Sequence, residues 1–270
     1  MCIVVFKTFS DPNAKYKLVV AANRDEYYSR PSKEASFVDE NLVCGLDMQT
    51  GVEGGTWLGM SRTGKVGFLT NILVKQQSPE KTARGRIVRD YLECGYNHEE
   101  YIEKYLVGKN HRMFNFVGMN LHDNGRYFAS YYGKSEKDKC TPMSSDSVHV
   151  VACTALNNKW KKKQRVRELF EKSLVIEKSP RETSHVIFSK VISDSTNLHP
   201  DEGVLAQAPS DFTESFLCRY SSVCINEIKH YGTRTQTVIL VDQNNKVYFS
   251  ERNRDTHLSK WKTTFLEYEI

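Results

Sequence analysis

The segment from residue 2 to residue 26 constrains the fold most. CIVVFKTF and YKLVVAAN are short, almost continuous apolar runs rich in β-branched residues, and SDPNAK separates them. Such runs read as buried strands, and Asp-Pro-Asn supplies the turn chemistry that pairs them as a hairpin. The second strand then runs directly into Asn23, Arg24, Asp25 and Glu26. Three charges in a row at the end of a buried strand need partners or a ligand. A hairpin of this spacing returns them to the end at which Cys2 begins.

Other hairpins are legible. TWLGM and VGFLTNIL flank SRTGK, MFNFVGMNL and RYFASYYG flank HDNG, and TQTVILV and VYFSE flank DQNNK. Asn-Gly in the second of these is a strong turn signal. Helical periodicity occupies the middle of the chain. It sets Ile87, Val88, Tyr91 and Leu92 on one face, and Tyr101, Ile102, Tyr105 and Leu106 on another behind an Asn97 N-cap and before Gly108. Trp160, Val166, Leu169 and Phe170 mark a third helix, with a basic outer face of Lys161, Lys162, Lys163, Arg165 and Arg167. Ile187, Phe188, Val191 and Ile192 mark a fourth. Residues 194–215 are the most loop-like stretch. With strands at both ends, helices between and no convincing linker, the pattern predicts one domain over 1–270, its sheets stacked and flanked by helices.

Composition excludes several classes. No apolar run approaches the length of a membrane span. The N-terminal run reaches Lys7 too early for a secretory signal, so the protein is not expected to be secreted. Seven scattered cysteines without a CxxC spacing are neither a disulfide framework nor a zinc site, and fit a reducing, cytoplasmic setting. A net charge of +5 favours acidic ligands or peripheral contact with an anionic membrane and does not by itself indicate nucleic-acid binding.

Cys2 has a chemical option that no internal cysteine has. Aminopeptidases remove an initiator methionine when the next side chain is small. Processing would leave Cys2 with an α-amine of pKa about 7.7–8.0 beside a thiol of about 8.5. The neutral amine can then take the thiol proton, giving nucleophile and base in one residue. A buried cysteine acting as a small hydrophobe is the plainer alternative. Arg24 nearby would lower the thiol pKa, and Asp25 would hold the new ammonium group; a structural ion pair capping the strand end is the competing reading. Asn71 ends an apolar strand, where its amide can donate to a developing oxyanion, and Arg234 immediately precedes another buried strand. Capping of strand ends accounts for both equally well. Gly54-Gly55 before Trp57 permits a sharp bend or a close backbone approach.

Taken together, MCIVVF, AANRDEYYSRPS, GLDMQTGVEGGTWLGMS, LTN, ARGR, YGTRTQTVILVD and FSER resemble the NRDE family, with the middle of the chain the weaker part. The resemblance implies an N-terminal nucleophile hydrolase fold. This is an α+β, four-layer αββα sandwich of two stacked, mainly antiparallel sheets with helices outside, similar to the cysteine amidases that cleave bile-salt and penicillin amides. It places Cys2 at the nucleophile position, Arg24 and Asp25 as the charged pair beside it, Asn71 as an oxyanion donor and Arg234 as a second active-site arginine.

One departure stands out. Where relatives read Gly-Leu-Ser-Asn-x-x-Leu, this chain reads VVACTAL, so Cys153 occupies an asparagine position that lines the reaction centre in the amidases. Losing one oxyanion donor costs a factor of about 10²–10³ in rate.

The family association implies intracellular haem trafficking, moving haem out of mitochondria or storage organelles, together with mitochondrial, acyl-CoA and Golgi-linked lipid roles. Haem is then a transported ligand, with haem-donating or haem-accepting proteins as partners and no catalytic metal. The alternative is an amidase or thioesterase acting on an acyl compound through Cys2. His111, His122, His149, His185 and His230 read as loop or surface residues, and no axial ligand for iron is identified among them.

Overall fold

Residues Cys2–Thr8 (β1) and Tyr16–Tyr27 (β2) form the expected antiparallel hairpin, with Cys2 opposite Arg24 and Phe6 opposite Val20. The structure is a computed structural model that describes residues 2–76, 84–122, 128–135, 138–175, 178–228, 230–255 and 260–270. Successive residues of the hairpin face opposite sides. Val4, Phe6, Leu18, Val20 and Ala22 join one apolar cluster, while Ile3, Val5, Val19 and Ala21 join another. Both faces are covered, which is why these strands do not alternate apolar with polar residues.

The hairpin lies within a six-stranded antiparallel sheet. Its order is β10 (His149–Val151), β1, β2, β11 (Tyr231–Asp242), β12 (Lys246–Asp255) and β13 (Lys260–Glu269). A second, seven-stranded sheet runs in chain order. It comprises β3 (Ser32–Phe37), β4 (Leu42–Asp47), β5 (Leu58–Ser61), β6 (Lys65–Asn71), β7 (Phe114–Asn120), β8 (Ala129–Gly133) and β9 (Cys140–Met143). The sheets stack through Val4, Phe6 and Val20 on one side and Met60, Phe68 and Val117 on the other. The Asn-Gly turn expected between β7 and β8 lies outside the described residues, but the two strands do pair.

Helices α1 (Ile87–Glu93) and α2 (His98–Tyr105) cover the outer face of the second sheet. Helices α3 (Lys161–Leu174) and α4 (Pro180–Lys190) cover the outer face of the first. The result is the four-layer αββα sandwich. Asn97 and Ser179 each close a capping box with the glutamate three residues on, stabilising each helix start by about 1 kcal/mol. Residues 194–215, which look like a loop in sequence, include α5 (Glu202–Gln207) and the start of α6 (Glu214–Tyr220). Both pack around Trp160 in a cluster at one end of the sandwich.

Three expectations are corrected. Tyr105 turns outward and is 41 % exposed. His149, read as a loop or surface residue, sits in β10 with its ring against Phe6. The basic face of α3 is not a continuous solvated surface. Lys162 is 2 % exposed and donates to the Tyr220 carbonyl at 2.8 Å, and Lys163 donates to the Leu156 carbonyl at 2.6 Å. Arg165 pairs with Asp194 at 2.7 Å, and Arg167 donates to the Val148 carbonyl. Lys162, Lys163 and Arg167 thus serve main-chain acceptors that the helix ends and loops leave open.

Candidate functional site

Cys2 and Arg24 extend the inward-facing rows of β1 and β2 beyond Val4 and Ala22, to the rim of the space between the sheets. There the apolar filling stops and a pocket of about 200 Å³ opens, lined by Cys2, Arg24, Asp25 and Asn71 among others. The convergence expected from sequence is therefore present for these four. Strand pairing sets it: Cys2 and Arg24 are cross-strand partners, Asp25 is next along, and Asn71 reaches the same rim from the end of β6 in the opposite sheet.

Arg24 is 5 % exposed, and its guanidinium lies 4.3 Å from the Trp57 ring. A desolvated cation over indole is favourable by about 2 kcal/mol. Asp25, 2 % exposed, accepts from the Thr233 hydroxyl at 2.6 Å. Burial pushes its carboxyl above the usual range, opposed by the Lys162 ammonium and by that hydrogen bond. Lys162 is shifted downward by burial and held up chiefly by Asp25. Behind Arg24, buried Glu251 accepts from the Ala35 amide at 2.7 Å, and burial raises its pKa against a smaller opposing pull from Arg24.

The Cys2 thiol is also raised. Burial pushes it up to about 12, with Cys153 and Asp25 adding and Arg24 opposing. Cys2 keeps partial access to the pocket, but its thiolate is poorly solvated. Cys153 lies directly against it. The β1–β10 register pairs Val4 with Val151, and two residues further the β10 main chain leaves the ladder, its Cys153 carbonyl accepting from the Leu73 amide at 2.8 Å. The Cys153 thiol replaces the lost main-chain partner, accepting from the Cys2 amide at 3.1 Å and donating to the Cys2 carbonyl at 3.2 Å. Cys153, read from the resemblance as standing at an asparagine position, therefore lies beside Cys2 and presents a weak sulfur donor there.

Arg234 does not line the pocket. It is the extra residue of a β-bulge, since Thr233 pairs with Asp25 and Thr235 with Arg24. The bulge re-aims its side chain, whose Nη1 donates to the carbonyls of Tyr27 and Arg30. Arg234 so supports the turn that presents Arg30, and Arg30 enters the pocket wall paired with Asp47 at 2.7 Å.

Sequence reading did not assign Trp57, Arg84 or Arg112 to the site, although all three line it. In the sequence Arg112 directly precedes the apolar run MFNFVGMNL, as Arg234 directly precedes TQTVILV, so the same signal was available. Arg84 arrives by a different device. Gly55 packs so closely on Gly85 that an added Cβ would fall 2.3 Å from the Gly85 oxygen, and the Thr56 amide donates to that oxygen at 3.1 Å. Gly55, two residues before Trp57, is thus what seats Arg84 and Gly85 against the pocket.

The sequence profile of the transport and Golgi organisation 2 family matches residues 1–256. The chain belongs to this family. The mouse transport and Golgi organization 2 homolog is 34 % identical over 280 residues, covering 100 % of this chain and 99 % of the relative. The human homolog is 34 % identical over 281 residues with the same coverage. The Drosophila melanogaster protein is 28 % identical over 287 residues, covering 99 % and 98 %. Among solved structures, a variant of the conjugated bile acid hydrolase from Clostridium perfringens aligns with a TM-score of 0.51 at 10 % identity, covering 100 % of this chain and 97 % of that one. At that identity the likeness concerns fold alone, and it places this transport and Golgi organisation 2 family member in the N-terminal nucleophile hydrolase architecture. No helix among the described residues is long and apolar enough to cross a membrane.

Proposed function

We propose that this chain uses its hydrolase-type cleft to hold and hand on a small molecule inside the cell, with haem leaving mitochondria or storage organelles as the leading cargo. The observation that carries this reading is an apolar groove of about 370 Å³ beside the polar pocket, sharing Glu26 and Asn71 with it and walled by Leu73, Phe212, Phe216 and Tyr231. Aromatic walls suit a flat apolar ring, and the neighbouring arginines suit its propionates. Tyr27, half-exposed in the groove, is the phenol best placed to offer an oxygen to iron. The raised Cys2 thiol and the sulfur at position 153 also favour holding over turnover. Titration with haem is expected to give a saturable Soret shift, and loaded protein is expected to transfer haem to an apo-acceptor. No spectral change at micromolar protein would overturn the carrier reading.

A second reading is favoured by the placement of Cys2 opposite Arg24, beside Asp25 and facing Asn71. It is a cysteine amidase or thioesterase acting on an acyl substrate. With Met1 removed, the Cys2 amine takes the thiol proton, and the sulfur attacks the carbonyl carbon. Asn71 donates to the oxyanion, the ammonium protonates the leaving amine or thiol, and water then releases the acid from the acyl-enzyme. Intact mass is expected to lack Met1, and an acyl-directed probe to label Cys2. Retention of Met1 removes the base and ends this reading. Cys2→Ala separates the two functions, abolishing turnover while leaving haem transfer intact.

A further inference from the structure

The pocket carries more positive charge than its own acids match. Four arginines line it, namely Arg24, Arg30, Arg84 and Arg112, against Asp25, Glu26 and Asp47. Arg30 is committed to Asp47, with Glu26 at 3.8 Å. Arg24 has Glu251 behind it as a counter-charge but no ion pair within 4.0 Å among the described residues, and its buried Nη1 has no hydrogen-bond partner there. Arg84 and Arg112 likewise have no carboxylate at ion-pair distance among the described residues. Arg84 spends one N–H on the Met113 carbonyl, and the buried Nε of Arg112 is unmatched. Arg84 is also depressed to about 10, first by burial and then by repulsion from Arg112, so the two guanidiniums are close enough to feel each other. Three partly desolvated guanidiniums with spare N–H groups converging on one hollow are what a bidentate oxyanion satisfies.

We propose that Arg24, Arg84 and Arg112 form a head pocket for the oxyanion of a ligand, a carboxylate or a phosphate, whose apolar part lies in the adjoining groove. The size of the hollow suits a compact charged group, and the apolar body has Ile72, Leu73, Phe212 and Phe216 to pack against. This rests on the cleft being a ligand site and is indifferent to whether the ligand is carried or cleaved. A haem propionate and the acid group of an acyl substrate would use the same three side chains. The groove is lined by Lys75 and Asp211 and shares Glu26, so it holds no excess of positive charge and the attraction of an anion falls to the arginine pocket.

Isothermal titration with decanoate, decyl phosphate, decanol and decylamine tests the idea on the unaltered protein, so it does not depend on any variant folding. Decanoate or decyl phosphate is expected to bind at least about tenfold more tightly than decanol, with decylamine weakest. The tighter of the two anions identifies the head group. Arg84→Gln and Arg112→Gln, checked for an unchanged melting temperature, are each expected to weaken the anion about tenfold or more and to leave decanol unaffected. Trp57 fluorescence should report the same event through its contact with Arg24, and Trp57→Phe should remove the signal. Equal binding of decanol and decanoate, or full anion affinity in a folded Arg84→Gln/Arg112→Gln double variant, overturns the proposal. Haem transfer surviving either result would leave the carrier function standing without this pocket.

Discussion

Replacing Gly55 by alanine tests how the pocket is assembled. The new Cβ would fall 2.3 Å from the Gly85 carbonyl oxygen and 2.7 Å from its carbon, roughly 1 Å inside the 3.4 Å at which ordinary contact begins. Both neighbours are main-chain atoms, so no side chain can swing aside. Overpacking of this kind costs about 1–3 kcal/mol, and losing the hydrogen bond from the Thr56 amide to Gly85 adds about 1. The sum is about 2–4 kcal/mol, or a drop of about 4–16 °C in melting temperature at 2–4 °C per kcal/mol for a domain of this size. Circular dichroism melting would measure it. Gly95→Ala is the control, because nothing lies within 4 Å of its added carbon, and its effect should be within about 1 kcal/mol in the stabilising direction. Anion binding by Gly55→Ala should fall together with stability, since Arg84 moves with Gly85. A melting temperature within about 2 °C of the parent would refute the claim that the two glycines seat Arg84 by close contact.

Other expectations follow from the site. Cys153→Asn restores an amide donor beside Cys2; if the cleft hydrolyses acyl compounds, turnover of an acyl reporter should rise by about 10²–10³, and no rise would count against the hydrolase reading. In protein retaining Met1, with the Cys2 thiol near 12, only about one part in ten thousand is thiolate at pH 8. Peptide-resolved alkylation of Cys2 should therefore climb about tenfold per pH unit, and a plateau below pH 9 would contradict the burial argument. Asp25 has a raised folded-state pKa, so the folded protein holds that proton more tightly than the unfolded chain. Its contribution is most favourable below the unfolded value of about 3.9 and is lost as pH rises through the raised folded value. Asp25→Asn should accordingly gain stability over the parent at pH 7 and match it at pH 3.5 in urea unfolding; a loss at pH 7 would show that Lys162 and Thr233 outweigh desolvation.

The sequence by itself determined the central hairpin, because β-branched runs around Asp-Pro-Asn have few other ways to fold. It also determined the start of α2 at Asn97, where the capping signal lies within four residues. It identified Cys2, Arg24 and Asp25 as neighbours, since strand pairing converts their spacing directly into proximity; Asn71, in the opposite sheet, was joined to them by the family resemblance. Only the tertiary structure decided the rest. Arg234 is turned away by a bulge, a register event between β2 and β11 that spacing along one strand does not encode. The lysines after Trp160 look solvated in sequence, yet Lys162 and Lys163 are buried against carbonyls far along the chain or across a turn. Arg84 and Arg112 come from segments 28 positions apart and share a pocket with Arg24 only once both sheets are stacked and Gly55 has closed on Gly85. Local patterning fixes which strands and helices form, whereas the charge balance of a cavity depends on which walls the packing of distant elements brings together.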